Sequence, residues 1–554
     1  MKRLLVLFAI LLASCATAPV VHPPVHVVVV GTTDVHGWFA GHAQNNTLQY
    51  GGVALLSSYV KALRAEPDSA VVLVDSGDLF QGTLESNYFE GEPVVRAYND
   101  LGYAAAAVGN HEFDYGPVGP DSVARVPGED PLGALKKNAA SAKFPFLSAN
   151  MTEKATGQTP AWAKRYTMID AGGARIGIIG LSTPDTPNVT LRANVLTLDF
   201  GDPVAATVAA ARELRAQGAD AIVVIAHMGG RCTDVNDVHD VASCDPDQEA
   251  VQFVQHLPAG TIDAYFAGHT HQQMREFFNG VPVVQGLAYG RQFSTVDLYV
   301  DRDHHHVDAM RTAIRPLTDI VPTASTQPDP QLRAVLQPYL ERVAAKRNED
   351  VGITAAAPFR RGFGEESPLG DLLADALRAA AKSDMAFMNS GGIRTNLRAG
   401  KLVYGDLFEV SPFDNYLAVV GMTGAEIAEA LRLTTSGERG IMQVSGLRYT
   451  YDAAKDRDKP ANDRSRLVSV TLPDGTPLDP AKVYTVAMPD FLATGGDGLL
   501  PVTSAIPADR IRFDQVEPLH DVFADVLRSF PQPLVPKTDG RITVLNPTRG
   551  GDSE

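Results

Sequence analysis

The sequence predicts two α/β units joined by a long helix, and three observations lead to this fold class. Apolar runs such as Val25–Val30 and Ala70–Val74 alternate with helical patterns, as in a layered α/β unit. An uneven, Pro-containing stretch from Ile314 to Gln327 ends this alternation, and a polar helical segment, Asp329–Arg347, follows it. A second alternation of strands and helices begins at Val351.

Length and charge limit the possible classes of protein. A chain of 554 residues is too long for one hydrophobic core. The net charge of −17 disfavours a nucleic-acid partner, because an acidic surface repels the phosphate backbone. We therefore divide the chain into a signal peptide and tether (1–24), a first unit (25–320), a linker helix (321–350) and a second unit (351–545).

The first residues have the pattern of an export signal. Lys2 and Arg3 precede an apolar stretch, Leu4–Leu12, that is too short to span a bilayer. The ending at Cys15 resembles a bacterial lipobox, which implies a lipid anchor on this cysteine; Ala16 after it favours the periplasmic face of the outer membrane. The alternatives are an ordinary secretory signal with a chance cysteine, and a soluble periplasmic protein.

Two further cysteines, Cys232 and Cys244, lie in one loop-like insertion. In an exported protein we expect them to form a disulfide bond. A cysteine-based metal site is a weaker interpretation, because the paired C-x-x-C spacing is absent.

The elements expected along the chain follow from apolar runs and helical periodicity. In the first unit we expect strands at 25–30, 70–74, 103–108, 175–181, 219–226 and 262–267, helices at 52–65 and 93–101, and a β-rich end at 281–314. In the second unit we expect helices at 370–381 and 424–433, and strands at 385–388, 416–420 and 483–488. His304–His306 falls in a turn between strands, which favours a solvated loop over a metal site.

Polar residues collect where the strands of the first unit end. Each could have an ordinary role alone, as a turn, a helix cap or a core histidine. Together they form a mixture of carboxylate, amide and imidazole that suits Zn²⁺, Mn²⁺ or Fe²⁺. There are about twice as many as one tetrahedral ion needs, which predicts two ions with Asp78 shared. The predicted ligands are Asp34, His36, Asp78, Asn110, His227, His269 and His271.

A catalytic pair is expected in the same loop as Asn110. His111 stands next to the predicted amide ligand, and Asp114 follows three residues later, where it could orient the imidazole. An imidazolium held by a carboxylate can act as a positioned cation or general acid. The neighbouring Glu112 is interpreted as a structural residue.

The second unit carries a separate set of candidate binding residues. Asn389 and Arg394 lie in a Gly-rich segment after a short strand, and Arg394 offers a fork suited to phosphate or carboxylate. Phe413 is presented by a Pro-containing turn, and Phe491 precedes a Gly-rich loop that contains Asp497. The alternative is that both phenylalanines belong to the core, although aromatic residues on such loops more often bind ligands.

The order and wording of these motifs resemble the calcineurin-like metallophosphoesterases, and more closely the bacterial 5′-nucleotidase/UDP-sugar hydrolase family. The resemblance implies a four-layer-type α/β domain joined by a helix to a smaller α/β substrate-binding domain. It implies one metal held by Asp34, His36, Asp78 and His271, and a second held by Asp78, Asn110, His227 and His269. It places His111, oriented by Asp114, off the metals and beside the transferred phosphoryl group.

The same resemblance assigns roles in the second unit. It implies that Phe413 and Phe491 clamp the base, Asp497 binds the ribose hydroxyls, Asn389 the base edge and Arg394 the phosphate. A further family arginine corresponds to Arg360 or Arg361, but the spacing to the following helix is about two residues too long to choose between them from the motif.

We therefore expect an exported enzyme that hydrolyses nucleoside 5′-monophosphates, with nucleoside di- or triphosphates and UDP-sugars as further candidate substrates. Neither half holds a complete site, so the active site is expected between the units, with the linker helix as a hinge. The enzymatic alternatives are a 2′,3′-cyclic-nucleotide phosphodiesterase/3′-nucleotidase and, more distantly, a thiosulfohydrolase. The alternative of another class is a nucleotide-binding surface lipoprotein without turnover.

Overall fold

The computed structural model describes residues 22–44, 47–437, 439–459 and 463–547. The predicted lipidation site, Cys15, lies outside these residues. Within the described part of the chain, none of the helices combines the length and the apolar character needed to cross a bilayer.

The first unit is a mixture of strands and helices. Its strands are β1 Val25–Thr32, β2 His42–Gln44, β3 Thr47–Tyr50, β4 Ser69–Asp75, β5 Ala105–Ala107, β6 Phe146–Leu147, β7 Met151–Glu153, β8 Tyr166–Ala171, β9 Ala174–Ser182, β10 Leu198–Phe200, β11 Ala221–His227, β12 Ala264–Ala267, β13 Met274–Phe278, β14 Val281–Gln285, β15 Gln292–Asp301, β16 His306–Val307, β17 Ala313–Ile314 and β18 Thr318–Asp319. Its helices are α1 Val53–Arg64, α2 Leu84–Asn87, α3 Glu92–Leu101, α4 Gly133–Ser141, α5 Thr186–Val189, α6 Arg192–Val195, α7 Pro203–Ala216 and α8 Glu249–His256.

Two large sheets form the centre of this unit. One has the order β16-β15-β1-β4-β5-β6, with β17 and β18 also paired to β15, and the other has the order β13-β14-β12-β11-β9-β8. The strands β1, β4, β5 and β6 run parallel, as do β9, β11, β12 and β14. Their carboxyl ends gather the loops that carry the predicted metal ligands.

Alternating side chains divide the unit into four layers. Val27 and Val29 of β1 pack between the sheets with Ile176 and Ile178 of β9. The opposite face of β1 packs in the cluster formed by α1, α3 and α4, while the outer face of β11 packs against α7 and α8. Because side chains in a strand alternate between faces, one apolar strand can serve two layers of core. The expected α/β fold with helices outside two sheets is confirmed.

The linker helix α9, Pro330–Arg347, connects the cores of the two units. Asp329 caps its first turn by accepting a hydrogen bond from the Gln331 amide at 3.0 Å, and Pro330 suits the first helical position. Leu332 packs in the core of the first unit, whereas Val343 packs in the core of the second. Movement of one unit relative to the other would therefore involve this helix.

The second unit is a smaller α/β structure. Its strands are β19 Asp350–Ala355, β20 Met385–Asn389, β21 Gly400–Val403, β22 Tyr416–Thr423, β23 Met442–Ser445, β24 Arg448–Asp452, β25 Leu467–Thr471, β26 Val483–Pro489, β27 Ile511–Pro518 and β28 Ile542–Leu545. Its helices are α10 Pro368–Ala381, α11 Tyr404–Val410, α12 Gly424–Thr434, α13 Asp490–Ala493, α14 Leu500–Thr503 and α15 Leu519–Ser529.

The central sheet of this unit has the order β23-β20-β26-β22-β27, and a three-stranded sheet has the order β25-β24-β28. The predicted strands at 385–388, 416–420 and 483–488 correspond to β20, β22 and β26, and the predicted helices to α10 and α12. The second sheet and β27 were not expected from the sequence.

The disulfide bond and most of the histidine run lie in loops of the first unit. The sulfur atoms of Cys232 and Cys244 are joined at 2.09 Å. His304 and His305 lie in the turn between β15 and β16, and His306 begins β16. The side chain of His304 is 71% exposed and pairs with Asp301, as expected of a solvated loop.

Candidate metal centre and substrate site

The seven predicted metal ligands converge at the carboxyl ends of the parallel strands. Ligand atoms of Asp34, His36, Asp78 and His271 all lie within 4.8 Å of one another, and a second group joins Asp78 to His227 and His269 under the same limit. The amide oxygen of Asn110 lies 3.0 Å from Nε2 of His227, which places it with the second group. Asp78 belongs to both groups, as predicted for a shared carboxylate.

The backbone at this site is strained in an unusual way. Five of the seven predicted ligands have positive φ angles, which non-glycine residues rarely adopt: Asp34 (50°), His36 (49°), Asp78 (58°), His269 (81°) and His271 (58°). Such conformations cost free energy and cluster at functional sites, where the surrounding structure enforces them. The strained backbone conformations therefore point to a functional role for these five side chains.

Backbone carbonyl groups set the orientation of two of the imidazoles. Nδ1 of His36 donates to the carbonyl of Gln81 at 2.7 Å, and Nδ1 of His227 donates to the carbonyl of Ser76 at 2.9 Å. In each ring the proton is held on Nδ1, and Nε2 is directed toward Asp78. Fixing the tautomer from behind is the usual arrangement for metal-binding histidines.

Burial keeps two of the imidazoles neutral, as metal ligation requires. Burial, assisted by the charge of Arg394, holds the pKa of His36 well below its usual value, and burial lowers the pKa of His269 to about 4. Burial would also lower the pKa of His227, but Asp78 at 3.0 Å outweighs it and raises the pKa to about 10. Metal ligation requires neutral imidazole, and a cation beside Asp78 would compete with that proton.

The arrangement and chemistry of the predicted ligands fit divalent ions. The Nε2 atoms of His36 and His271 lie 3.1 Å apart in a partly buried setting, which suits two donors that share one cation. The mixed set of imidazole nitrogen, carboxylate and amide oxygen suits Zn²⁺, Mn²⁺ or Fe²⁺. The predicted ligands are therefore suited to hold the divalent ions that the sequence predicts.

The loops that carry Asp78 and Asn110 are fastened together by Glu112. Its Oε2 accepts hydrogen bonds from the backbone amides of Asp78 at 2.8 Å and Gly109 at 2.6 Å, and its Oε1 accepts one from Leu79 at 2.6 Å. Gly109 leaves no room for a larger residue, since an added Cβ would lie 2.2 Å from Oδ1 of Asp78. Glu112 is thus a positioning residue, consistent with its structural interpretation from the sequence.

Replacing Glu112 by glutamine is expected to weaken metal binding by ~10- to 100-fold, the cost typical of losing a partner that orients the ligands. Glutamine keeps the shape but has one acceptor oxygen, so at least one buried amide is left unsatisfied, at about 1–3 kcal/mol of stability. Metal titration and thermal unfolding would measure both effects. Glu341→Gln, at an exposed position on α9, is the control, and an unchanged metal affinity in Glu112→Gln would contradict this role.

The predicted catalytic pair is assembled beside the metal ligands. Nδ1 of His111 lies 2.5 Å from Oδ2 of Asp114, and Oδ1 of Asp114 accepts a hydrogen bond from Thr190 at 2.9 Å. The His111 side chain keeps 13% of its surface exposed, and its ring centre is 5.2 Å from that of His36. His111 belongs to neither metal-ligand group, so its Nε2 can face a substrate.

Residues of the second unit reach into this site. Nη2 of Arg394 lies 2.9 Å from Nε2 of His36, and the ring of Phe413 lies 5.5 Å from the ring of His111. The loop before Phe413 is held by the first unit, because Gln81 and Asn87 both donate to the carbonyl of Pro412, at 2.9 and 2.8 Å. The predicted placement of the site between the two units agrees with these contacts.

The other predicted substrate residues lie close by. Asn389 donates to Asp497 at 2.8 Å, so these two side chains hold each other in place. Phe491 packs against Gly496, where an added Cβ would lie 2.4 Å from the ring. Arg361 donates to the carbonyl of Ile393 at 3.2 Å. Burial, assisted by the charge of Arg394, lowers the pKa of Arg361.

The structure thus favours Arg361 over Arg360 as the second arginine of the site. Arg361 is partly buried beside Ile393, whereas the side chain of Arg360 is exposed. Sequence reasoning missed three residues of the first unit that contact the second, Gln81, Asn87 and Asp185, the last of which pairs with Arg439. Asp185 follows the expected strand 175–181 and could have been noticed as another polar strand end.

Comparison with known proteins is consistent with this geometry. Residues 27–273 match the family model described as calcineurin-like phosphoesterase, and residues 344–505 match the model described as 5′-nucleotidase, C-terminal domain. The first model lies within the first unit, and the second begins in the last turn of the linker helix and extends through most of the second unit.

Two similar proteins have curated names. The chain is 29% identical over 553 residues to "Endonuclease YhcR" of Bacillus subtilis, an alignment that covers 95% of this chain and 41% of that protein. It is 28% identical over 539 residues to a 5′-nucleotidase of Vibrio cholerae, covering 89% of this chain and 90% of that protein. The chain therefore spans about two fifths of the length of one relative and nine tenths of the other.

A solved structure is similar over almost the whole chain. The crystal structure of a 5′-nucleotidase precursor from Thermus thermophilus aligns with a TM-score of 0.79 and 27% sequence identity, covering 94% of this chain and all of that one. The two domain models, the 5′-nucleotidase of Vibrio cholerae and this structural match agree with one another. The chain therefore belongs to the family in which a calcineurin-like phosphoesterase domain is joined to a 5′-nucleotidase C-terminal domain.

Proposed function

We propose that the protein is a metal-dependent 5′-nucleotidase, which removes phosphate from nucleoside 5′-monophosphates. The observation that carries this proposal is the contact at 2.9 Å between Arg394 and His36, where a predicted phosphate-binding residue of the second unit meets the metal-ligand cluster of the first. A nucleotide held by the second unit would have its phosphate at this contact. The named 5′-nucleotidases among the similar proteins support the same activity.

Each end of the substrate has a corresponding part of the site. Bound at the two ligand groups, a pair of divalent ions would supply Lewis acidity at the phosphoryl group and activate water as the nucleophile. Arg394 provides positive charge and donor groups for the phosphate oxygens. His111, held by Asp114, is positioned to donate a proton to the leaving 5′-oxygen or to stabilise its charge.

The base and ribose would occupy the second unit. Phe413 and Phe491 offer aromatic faces for stacking, which tolerates different bases. Asp497 and Asn389, which are hydrogen-bonded to each other at 2.8 Å, offer polar groups to the ribose and base edge. We propose that closure of the two units excludes water around this assembly, with α9 as the hinge.

A parallel assay of AMP, 3′-AMP, cyclic 2′,3′-AMP, ATP and UDP-glucose tests the proposed substrate class. We expect the highest kcat/KM for AMP, and lower rates for the diphosphate-containing compounds. A dominant rate on the cyclic substrate would replace the proposal by the 2′,3′-cyclic-nucleotide phosphodiesterase. Binding of AMP without any turnover, in protein loaded with Mn²⁺ or Zn²⁺, would favour the non-catalytic nucleotide-binding protein.

Removing either aromatic ring is expected to raise KM for AMP. Stacking on an aromatic side chain contributes about 1–3 kcal/mol per base, so Phe413→Ala and Phe491→Ala should each raise KM by ~5- to 100-fold. Phe513→Ala is the matched control, because this phenylalanine is 55% exposed on β27 in the same unit. An unchanged KM in both variants would show that neither ring binds the base.

We further propose that the protein is exported and anchored by a lipid on Cys15. The support is the N-terminal pattern of Lys2, Arg3, the apolar stretch Leu4–Leu12 and the lipobox-like ending. Metabolic labelling with a fatty acid tests it: label should appear in the wild-type protein and be absent from Cys15→Ser. Recovery of unlabelled, soluble wild-type protein from the periplasm would indicate an ordinary secretory signal instead.

A further inference from the structure

An ion pair between Arg439 and Asp185 connects the two units. Arg439 lies between α12 and β23 of the second unit, and Asp185 lies between β9 and α5 of the first. Nη2 of Arg439 is 2.5 Å from Oδ2 of Asp185, with side-chain exposures of 19% and 33%. An ion pair that is partly withdrawn from water and joins two domains contributes more than one on the open surface.

On its own side, Arg439 lies against the loop that carries Asp497. A Cβ added to Gly498 would lie 2.8 Å from Nη1 of Arg439, so this loop and the guanidinium group are in close contact. The charge of Arg439 also opposes the burial that raises the pKa of Asp497 to about 6. The position of Arg439 is therefore tied to the loop proposed to hold the ribose.

On the other side, Asp185 begins a short segment that holds the catalytic residues. Five residues after it, Thr190 donates to Asp114 at 2.9 Å, and Asp114 in turn orients His111. The carbonyl of Val189 accepts a hydrogen bond from the side-chain amide of Asn110 at 2.9 Å, which leaves the Asn110 oxygen directed toward His227. The segment from Asp185 to Thr190 thus contacts both the catalytic pair and a predicted metal ligand.

We propose that the Arg439–Asp185 ion pair is a positioning contact that sets the alignment of the bound nucleotide with His111. Arg439 fixes the ribose-binding loop to the segment that orients the catalytic pair. The role rests on the proposed nucleotidase function, and it concerns alignment between the units rather than binding of the nucleotide. Arg439 acts through Asp185 and contacts no reacting atom.

We expect loss of this ion pair to change kcat for AMP and to leave the affinity for the nucleotide nearly unchanged. In Arg439→Gln we expect kcat for AMP to fall about tenfold, because the nucleotide is bound but less often aligned. The Kd of a non-hydrolysable phosphonate analogue of AMP, measured by calorimetry on metal-loaded protein, should change less than about twofold, since the base and phosphate contacts remain. Asp185→Asn should have the same effect, and the charge-reversed double variant Asp185→Arg/Arg439→Asp should recover a large part of kcat.

The control is Arg510→Gln, which breaks an ion pair of similar exposure within the second unit, where Nη2 of Arg510 lies 2.8 Å from Glu426. Hydrolysis of p-nitrophenyl phosphate, which has no base or ribose to align, gives a reference rate for each variant. The ratio of kcat for AMP to kcat for p-nitrophenyl phosphate should fall in the two single variants and not in Arg510→Gln.

The outcomes distinguish the inference from the proposed function. A wild-type protein that hydrolyses p-nitrophenyl phosphate and not AMP would overturn the nucleotidase proposal. Normal AMP hydrolysis by the wild type, together with an unchanged ratio in Arg439→Gln, would overturn only the positioning role. A tenfold rise in Kd with an unchanged kcat would show that Arg439 binds the nucleotide directly, which also overturns it.

Discussion

Replacing His111 by alanine is expected to lower kcat for AMP by about 10²- to 10⁴-fold, the contribution typical of a positioned acid or base. His111 is held by Asp114 at 2.5 Å and belongs to neither group of metal ligands. The variant should therefore retain its metal content and bind AMP with nearly unchanged affinity. Steady-state kinetics, elemental analysis and calorimetry on the same preparation measure the three quantities.

Asp114→Asn provides a graded comparison for His111→Ala. Asparagine keeps the shape and can still accept from Thr190, but it removes the negative charge beside the imidazole. We expect a loss of kcat smaller than that of His111→Ala, because the ring stays in place. Equal activity of His111→Ala and the wild type would show that the pair is not catalytic.

Replacing Asp78 by asparagine is expected to abolish measurable hydrolysis of AMP, a loss of at least about 10³-fold. Asp78 is the one residue that belongs to both ligand groups, and it is buried between His36 and His227. Losing its charge removes the shared carboxylate from both ions at once. Elemental analysis should find less than one equivalent of metal, compared with two for the wild type.

Asp199→Asn is the control for Asp78→Asn, because the Asp199 side chain is 61% exposed on β10. Full activity and metal content are expected in that variant. A wild-type metal content in Asp78→Asn would indicate that the carboxylate is not a ligand. Residual activity within tenfold of the wild type would contradict a shared role in catalysis.

The convergence of the predicted metal ligands could be expected from the sequence, because these residues follow strands that are easy to recognise. β1, β4 and β11 are continuous apolar runs, so the polar residue after each run stands out. Parallel strands bring their carboxyl ends to the same edge, and this rule alone gathers Asp34, Asp78 and His227. The positive φ angles of the ligands could not be predicted, since asparagine and glycine are the residues that usually signal them.

The parts that were not predicted lack such a pattern. β25, Leu467–Thr471, is partly exposed along its whole length, and β27 ends at a proline, so neither has the apolar run of a buried strand. The expected strand 103–108 is reduced to Ala105–Ala107. These elements are defined by contacts with other parts of the chain.

The contacts between the two units could not be predicted from the sequence either. Arg439 and Asp185 are 254 residues apart, and neither lies in a motif that indicates a partner. The choice between Arg360 and Arg361 depended on which side chain turns toward Ile393, which spacing does not determine. The residues of each half were thus predictable, whereas the way the halves meet required the structure.

The central claim is that side chains from separate strand ends hold two neighbouring divalent ions. Anomalous X-ray diffraction from crystals of the protein loaded with Mn²⁺ or Zn²⁺ tests it most directly. The predicted result is two peaks about 3.5–4 Å apart on either side of Asp78, one near Asp34 and His36 and the other near His227 and His269. Peaks elsewhere in the molecule, or the absence of any peak between these side chains, would contradict the account.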